Sequence, residues 1–316
     1  MKVLGLIVEY NPFHNGHLYH LEQAKKITGA DFTVCVMSGN FIQRGEPAIV
    51  NKWSRAKMAL LSGVDLVIEL PVVYAMSSAE FFAHGSIRIL DSLGIVDYLC
   101  FGSESGDVSI LDSIADVLLQ EPQSFKSLLQ NHLNKGLSFP AARQAALEEY
   151  FKQNSEYKDG LNSVINSSNN ILGIEYLKAL KRIDSKIVPT TIQRVDNSYN
   201  TQNLTGSISS ATSIRNYIHT NFDSNVEKTL PSPSIEILKE EFDLGRGPIF
   251  SSNFEDIILT LIRKMPSNQL KSFPFVSEGL ENRIKNAANK CGNVEELIET
   301  IKTKRYTQTR IQRILY

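Results

Sequence analysis

An α/β fold with a parallel sheet, followed by a smaller helical region, is what this 316-residue sequence predicts. Three observations carry the expectation. An apolar run of strand length opens the chain and passes through a short polar loop into a helix-period pattern. Strand and helix signals then alternate to about residue 195, and strands separated by helix-length segments imply right-handed crossovers between parallel neighbours. Beyond a Pro-rich passage around Thr229 to Pro233 and a Gly-rich one at Gly245 to Pro248 the periodic stripes are helical, and the chain is divided into a first domain at 1–220 and a linker with helical C-terminal region at 221–316.

The first strand is Val3 to Val8. The chain breaks at Asn11-Pro12, turns through Gly16 and reopens as Leu18, Leu21, Ala24 and Ile27 on one helical face. His14 and His17, at i and i+3, therefore stand at a helix start. A first helical turn has unpaired N–H groups and the positive end of the dipole, which favours phosphate. Open parallel sheets also place ligands after the first strand. Taken alone, H-x-G-H serves equally as helix-capping histidines or as half of a metal site.

Phe32, Val34 and Val36 alternate into a second strand ending at Ser38-Gly39-Asn40, and Trp53 to Leu61 is a helix. Val64 to Leu70 is a third strand stopped by Pro71. Ala79 to Leu93 is helical, and Val96 to Phe101 is a fourth strand ending at Gly102-Ser103-Glu104. The loop S-G-N-F-I-Q-R-G-E-P carries Arg44 among turn formers, with Lys52, Arg55 and Lys57 close behind, cations suited to a polyphosphate or an RNA backbone. Lys57 reads as a solvated helix face and Arg44 as the better ligand. Asp107 to about Lys158 reads as helical packing around Leu111, Ile114, Val117 and Leu118, with Ser138 as a cap and Arg143 as a candidate anion ligand. Asn169-Asn170 cap an amphipathic Ile171 to Leu180, and Lys186 to Val195 alternates into a fifth strand with Arg194 near its end. A serine-rich turn, Ile208 to Arg215, opens another helix; by itself it is an ordinary serine cap.

A formal net charge of −1 excludes a global attraction to nucleic acid or membrane, so an RNA partner needs a local basic surface. Cys35, Cys100 and Cys291 form no C-x-x-C pair, which argues against a zinc ribbon or disulfide framework and for a reducing compartment. The opening apolar run is too short for a signal peptide and no stretch is long enough to span a bilayer, so a soluble, cytoplasmic protein is expected. Near the C-terminus, Phe254, Ile257, Ile258, Leu261 and Ile262 form one helical stripe and Val294, Leu297, Ile298 and Ile301 another. Lys302, Lys304, Arg305, Arg310 and Arg313 then cluster around Tyr306, a combination suited to a phosphate backbone and a stacked base.

H-x-G-H early and I-S-S-A-T-S-I-R late resemble the paired signature of the Rossmann-like, HIGH-type nucleotidyltransferases, whose histidines and serine-arginine helix face each other across a nucleotide triphosphate. With N-P-F-H-N-G-H, S-G-N-F-x-Q-R-G and N-N-I-L-x-x-E-Y-L-K, the chain resembles the bacterial tRNA(Met) cytidine acetate ligase family, from Val3 to about Arg313 and most strongly up to Ile218. The resemblance implies an ATP-dependent ligase. Acetate is activated as acetyladenylate with release of pyrophosphate, and acetyl then passes to N4 of the wobble cytidine, C34, of elongator tRNA(Met), releasing AMP.

By that resemblance ATP is held by the segment Ile7, Val8, Glu9, Tyr10, Asn11, Pro12, Phe13, His14, Asn15, Gly16, His17, Leu18, Tyr19 and His20, and by Gly102, Asn169 and Arg194. His14 and His17 would bind the transferring and departing phosphates, while Ser209, Ser210 and Arg215 hold the β and γ groups. Mg2+ is expected with ATP, and no protein metal ligands are assigned; the sequence leaves the oligomeric state open. A small-molecule adenylyltransferase of the pantetheine-phosphate or nicotinamide-mononucleotide type would use the same phosphate apparatus. A catalytically silent RNA-binding protein would need none of it. Family members continue with further helices past the R-Y-T-x-x-R-I-x-R segment, where this sequence ends at Tyr316, so complete tRNA binding is expected to depend on more than these residues.

Overall fold

A strand with neighbours on both edges and helices on both faces must be apolar along its length, and Val3–Val8 (β1) is such a strand. The computed structural model describes residues 1–154, 164–165, 167–194 and 206–316. Its elements run β1, α1 (Asn15–Thr28), β2 (Phe32–Ser38), a short hairpin of β3 (Phe41–Ile42) and β4 (Glu46–Pro47), α2 (Lys52–Leu61), β5 (Leu66–Leu70), α3 (Val72–Ala75), α4 (Ala79–Ser92) and β6 (Tyr98–Ser103). There follow α5 (Val108–Gln120), α6 (Gln123–Asn134), α7 (Phe139–Asn154), α8 (Ser168–Arg182), β7 (Val188–Gln193), α9 (Ala211–Ile218), α10 (Ser224–Glu227) and α11 (Ser232–Asp243). The chain ends in α12 (Glu255–Lys264), α13 (Ser267–Lys271), α14 (Leu280–Ala288), α15 (Val294–Ile301) and α16 (Gln308–Leu315).

The main sheet has the order β5-β2-β1-β6-β7 with every pair parallel. From β1 the chain builds outward first through β2 and β5, then on the other edge through β6 and β7. The order therefore reverses at β1, and the crevice at its C-terminal end is a topological switch point. The five strands expected from sequence are present, with Val195 outside the described residues. The 41–47 hairpin is an addition.

Apolar clusters cover both faces. One joins Val34, Val36, Leu99 and Phe101 to Ile87 of α4, Ile114 of α5 and Leu177 of α8. The other joins Leu4, Leu6 and Met37 to Leu21 of α1, Met58 of α2 and Ile214 of α9, and it continues through Val226, Leu230, Ile237 and Leu238, past residue 220. A third cluster gathers α12 to α16 around Ile262, Leu280, Ile284, Leu297 and Ile301. The stripe expected on α12 is rotated: Ile258, Leu259 and Ile262 are buried, whereas Ile257 and Leu261 face solvent, because the contact with α14 selects the adjoining face. The helical stretch after Asp107 divides at Pro122 and at Gly136, whose φ of +84° suits glycine; Lys158 lies outside the described residues. Among the described residues, no helix is long and apolar enough to cross a membrane.

Candidate active site at the end of the first strand

Tyr10, directly after β1, has φ of +47°, a left-handed conformation unfavourable for a bulky residue. It is held there by packing. Its ring meets Phe13 at 4.6 Å and His17 at 4.9 Å, and its hydroxyl contacts Cys35 Sγ at 3.6 Å. Burial pushes the Tyr10 phenol up and the Cys35 thiol to about 12, so neither ionises near neutrality.

Beneath this loop lies Arg55, fully buried, donating to the carbonyls of Glu9, Ser38, Gly39 and Val50. Its fork ties together the C-terminal ends of β1 and β2. Burial draws its pKa to about 10, so it remains a cation. The expectation that Arg55 meets a polyphosphate is corrected, since backbone oxygens occupy its donors. Lys52 pairs with Glu69 at 2.5 Å and Lys57 with Glu240 at 3.7 Å, while Arg44 lines the cavity described below.

The start of α1 also departs from expectation. His14 Nδ1 accepts from Gly16 N–H (3.0 Å), and His17 Nδ1 accepts from His14 N–H (3.3 Å). Asn15 N–H donates to the Thr229 carbonyl (2.9 Å), and the His17 and Leu18 N–H groups donate to the His14 carbonyl (2.8 and 3.1 Å). The amides expected to bind phosphate are already used by a reciprocal cap. What remains is imidazole. The two rings stack at 3.7 Å, and because both Nδ1 atoms accept, the hydrogen-bond pattern places the proton of each neutral ring on Nε2. A Cβ on Gly16 would come 2.8 Å from His14 Cε1, so glycine is what lets that ring lie over the turn.

Burial, then Arg194 and Arg215, push His14 down to about 3. Burial, then the neighbouring His14, Arg194 and His20, lower His17 well below its ordinary value, against a hydrogen bond to Pro12. Burial and Arg194 bring His20 to about 4 despite a bond to Phe101. At neutral pH the site therefore has three uncharged imidazoles.

Across the crevice, Ser210 caps α9: its Oγ accepts from Ser213 N–H (3.1 Å) and meets Ser213 Oγ at 2.7 Å. This cap leaves the amides of Ala211 and Thr212 over at the cavity wall. Arg215 donates to the Asn11 carbonyl (2.9 Å), and Asn15 Nδ2 donates to the carbonyls of Ser207 (3.0 Å) and Lys228 (2.9 Å). Two segments some two hundred positions apart are thus hydrogen-bonded to each other.

Between them is a cavity of about 670 Å3. Ile7, Val8, Glu9, Tyr10, Asn11, His14, Gly16, His17, Tyr19 and His20 line it from the first segment, and Ser209, Ser210 and Arg215 from the other. Gly102 of β6, Asn169 of α8 and Arg194 after β7 close its floor. Four residues of the first segment stand outside the lining. Phe13 is buried in the core with Leu18 packed against it, Pro12 follows Asn11 through a cis peptide, and Asn15 is engaged with the Ser207 and Lys228 carbonyls. Asn169 and Asn170 lie inside the first turn of α8, whose cap position is Ser167. Asn170 is buried and accepts from Glu104 N–H (2.9 Å), while Asn169 faces the cavity with Nδ2 donating to Glu104 (2.8 Å). Arg143 is not at the lining.

Sequence reasoning did not assign Gln43, Ala79, Phe82, Tyr176 or Thr309 to the cavity, nor Arg313, which it grouped with an RNA surface. Gln43 lies within the S-G-N-F-x-Q-R-G stretch, a usable signal. Thr309 and Arg313 arrive through the docking of α16 and have no local signal. Of the C-terminal cations, Arg310 lies over the Tyr306 ring at 5.4 Å and is held by the Phe275 carbonyl (2.7 Å), while Arg305 pairs with Glu278 (2.5 Å) and Lys302 with Glu299 (3.0 Å).

A Rossmann-like sheet with paired imidazoles and a serine-arginine helix at its switch point defines a nucleotide-binding α/β protein, and residues 1–316 match the family described as HIGH Nucleotidyl Transferase. The chain is 63% identical over 319 residues to the tRNA(Met) cytidine acetate ligase of Acetivibrio thermocellus, covering 100% of this chain and 76% of that protein. It is 49% identical over 316 residues to the ligase of Thermoanaerobacter sp. (strain X514), of which it covers 77%. The crystal structure of Thermotoga maritima TmcAL bound with alpha-thio ATP superposes with a TM-score of 0.92 at 43% identity, covering 100% of this chain and 74% of that one. The chain belongs to the HIGH nucleotidyltransferases and, within them, to the tRNA(Met) cytidine acetate ligase family.

Proposed function

We propose that this chain is an ATP-dependent tRNA(Met) cytidine acetate ligase. In the first step a carboxylate oxygen of acetate attacks the α-phosphorus of ATP. The bond from that phosphorus to the bridging oxygen breaks, and pyrophosphate leaves with the electron pair. In the second, the N4 amine of C34 in elongator tRNA(Met) attacks the acetyl carbonyl, the bond to AMP breaks, and the N4 proton is released as AMP departs. Neither step needs a covalent enzyme intermediate. Both need positioning and a place for charge that develops on phosphate oxygens.

The carrying observation is the convergence of His14 and His17 with Ser210 and Arg215 around one cavity. The His14 Nε2–H and the neighbouring His17 ring would meet the α-phosphate and the leaving oxygen, while the Ala211 and Thr212 amides with Arg215 receive the β and γ groups. Gly102, Asn169 and Arg194 would take the nucleoside side, with Ser209 beside them. Among the described residues, no group of three or more His, Cys, Asp and Glu side chains is placed to hold a metal. A magnesium ion would therefore come bound to the triphosphate and neutralise it.

The test follows pyrophosphate release from ATP with acetate, larger carboxylates or phosphate esters, with and without elongator tRNA(Met). Acetate-dependent release that yields N4-acetylcytidine supports the proposal. Release that requires a phosphate ester instead replaces it with a small-molecule adenylyltransferase.

A further inference from the structure

The cavity has two sides. Gly102, Asn169 and Arg194 belong to the β6–β7 side, with the imidazoles and α9 above them. The β2–β5 side is organised around Gln43, which none of the roles above employs. The Gln43 N–H donates to Glu9 Oε1 (2.8 Å), its side-chain amide donates to the Ser77 carbonyl (3.2 Å), and its carbonyl accepts from Arg313 Nε (2.7 Å). These bonds bring the end of β1, the turn before α4 and the C-terminal helix α16 to one point.

Arg313 is half-buried, with one edge of its guanidinium tied down. Among the described residues, its two Nη atoms make no hydrogen bond and it forms no ion pair, the Glu9 carboxylate acting on it only at longer range. A guanidinium fixed at Nε presents its Nη1–Nη2 edge, and that fork fits the two oxygens of a carboxylate. Ala79 and Phe82, next to the Ser77 anchor, give the same end an apolar wall. The carboxylate of Glu9 stands nearby, which suits a monoanion better than a triphosphate. Arg194 and Arg215, the cations that act on His14, lie on the other side, while Arg44 follows Gln43 in the hairpin.

Resting on the function proposed above, we infer that Arg313 is the acid-binding residue: its Nη edge receives the carboxylate of acetate, with the methyl group toward Ala79 and Phe82. The C-terminal helix then completes the site for the first step, and Arg313 belongs to adenylate formation, not to an RNA surface.

The experiment compares wild type, Arg313→Lys, Arg313→Gln and Gln312→Ala. Gln312 supplies the adjacent docking bond of α16, to Glu46 (3.0 Å), and so controls for loss of helix docking. Acetate KM is read from acetate-dependent exchange of pyrophosphate into ATP, and ATP affinity by calorimetry without acetate. Arg313→Lys is expected to raise acetate KM about tenfold and Arg313→Gln roughly a hundredfold, as for loss of charge-assisted hydrogen bonds. ATP affinity stays within about twofold, and Gln312→Ala leaves both parameters near wild type. Weakened ATP binding with unchanged acetate KM would make Arg313 a phosphate ligand and overturn the inference. So would a Gln312→Ala variant that reproduces the acetate defect, or Arg313 variants altered only in tRNA KM. A wild-type protein that binds ATP but shows no acetate-dependent exchange defeats the functional reading itself, and the inference with it.

Discussion

Helices α1 and α9 both begin at the cavity, yet they meet it with opposite chemistry. α1 uses its first-turn amides within a reciprocal cap and offers imidazole edges instead. α9 closes its cap with a serine hydroxyl, leaves two amides over and adds Arg215. A helix start is thus an anion site only where its own cap leaves N–H groups unused. The difference also divides the work: one wall holds uncharged donors, the other charge. Burial is the main cause of the neutrality, and at His14 the charge of Arg194 and Arg215 adds to it.

The sharpest way to break this comparison is to keep the cap and remove the donor. Asparagine is a good cap residue, so His14→Asn preserves an acceptor at the start of α1 while deleting Nε2–H. Acetate-dependent exchange of pyrophosphate into ATP should fall about 10²-fold or more, the scale of losing one electrostatic stabiliser, with only a small shift in the thermal midpoint. His17→Ala should lose a similar factor. Near-wild-type exchange in both would reduce the imidazole wall to a helix cap.

Acidity tests the neutrality of that wall. His14 titrates at about 3 and His20 at about 4 in the folded chain, against an ordinary 6.5. Between those values the unfolded chain binds protons that the native chain refuses. The stabilisation is therefore complete above pH 6.5 and is lost as pH falls toward 4, by up to about 1.4 kcal/mol per unit for each histidine. Urea midpoints should drop steeply from pH 7 to pH 5, and His14→Asn should flatten that slope. Imidazole NMR signals of His14, His17 and His20 should not move between pH 5.5 and 8; titration near 6.5 would show the wall to be charged.

What was legible in the sequence follows from how local each signal is. The strands, the position of the H-x-G-H turn and the serine cap of α9 rest on periodicity and cap chemistry confined to a few residues, and these agree with the structure. Arg55 was misread because its surroundings, four carbonyls from three segments, are assembled by tertiary contact. The same holds for Arg313, whose partner Gln43 is 270 positions away. The α1 amides were misjudged for a different reason: histidine is an uncommon cap, and its Nδ1 acceptor role shows only in the geometry. Glu175 and Lys178, in the stretch that follows Asn169-Asn170, make a buried ion pair at 2.8 Å that no pattern announced.

On the charged wall, Arg215→Lys sharpens the comparison. It keeps a cation but replaces with a single ammonium the planar fork that reaches the Asn11 carbonyl and Thr212 Oγ1. Exchange should fall about tenfold, chiefly through a higher KM for ATP, and less than in His14→Asn. An equal loss would mean that the two walls are not separable.

The smallest effect separates the α9 cap from the amides behind it. Ser210→Ala removes the hydroxyl that accepts from Ser213 N–H and should lower stability by about 1 kcal/mol in urea denaturation, whereas Ser210→Gly should lose only a few tenths. Neither change touches the Ala211 and Thr212 amides. If those amides hold the phosphates, Ser210→Gly keeps ATP affinity within a few-fold of wild type, since the helix start keeps its place. If the hydroxyl itself is the ligand, both variants lose ATP affinity equally, whatever their stability. That second pattern would make α9 resemble α1, a helix that offers side chain and not backbone to the cavity.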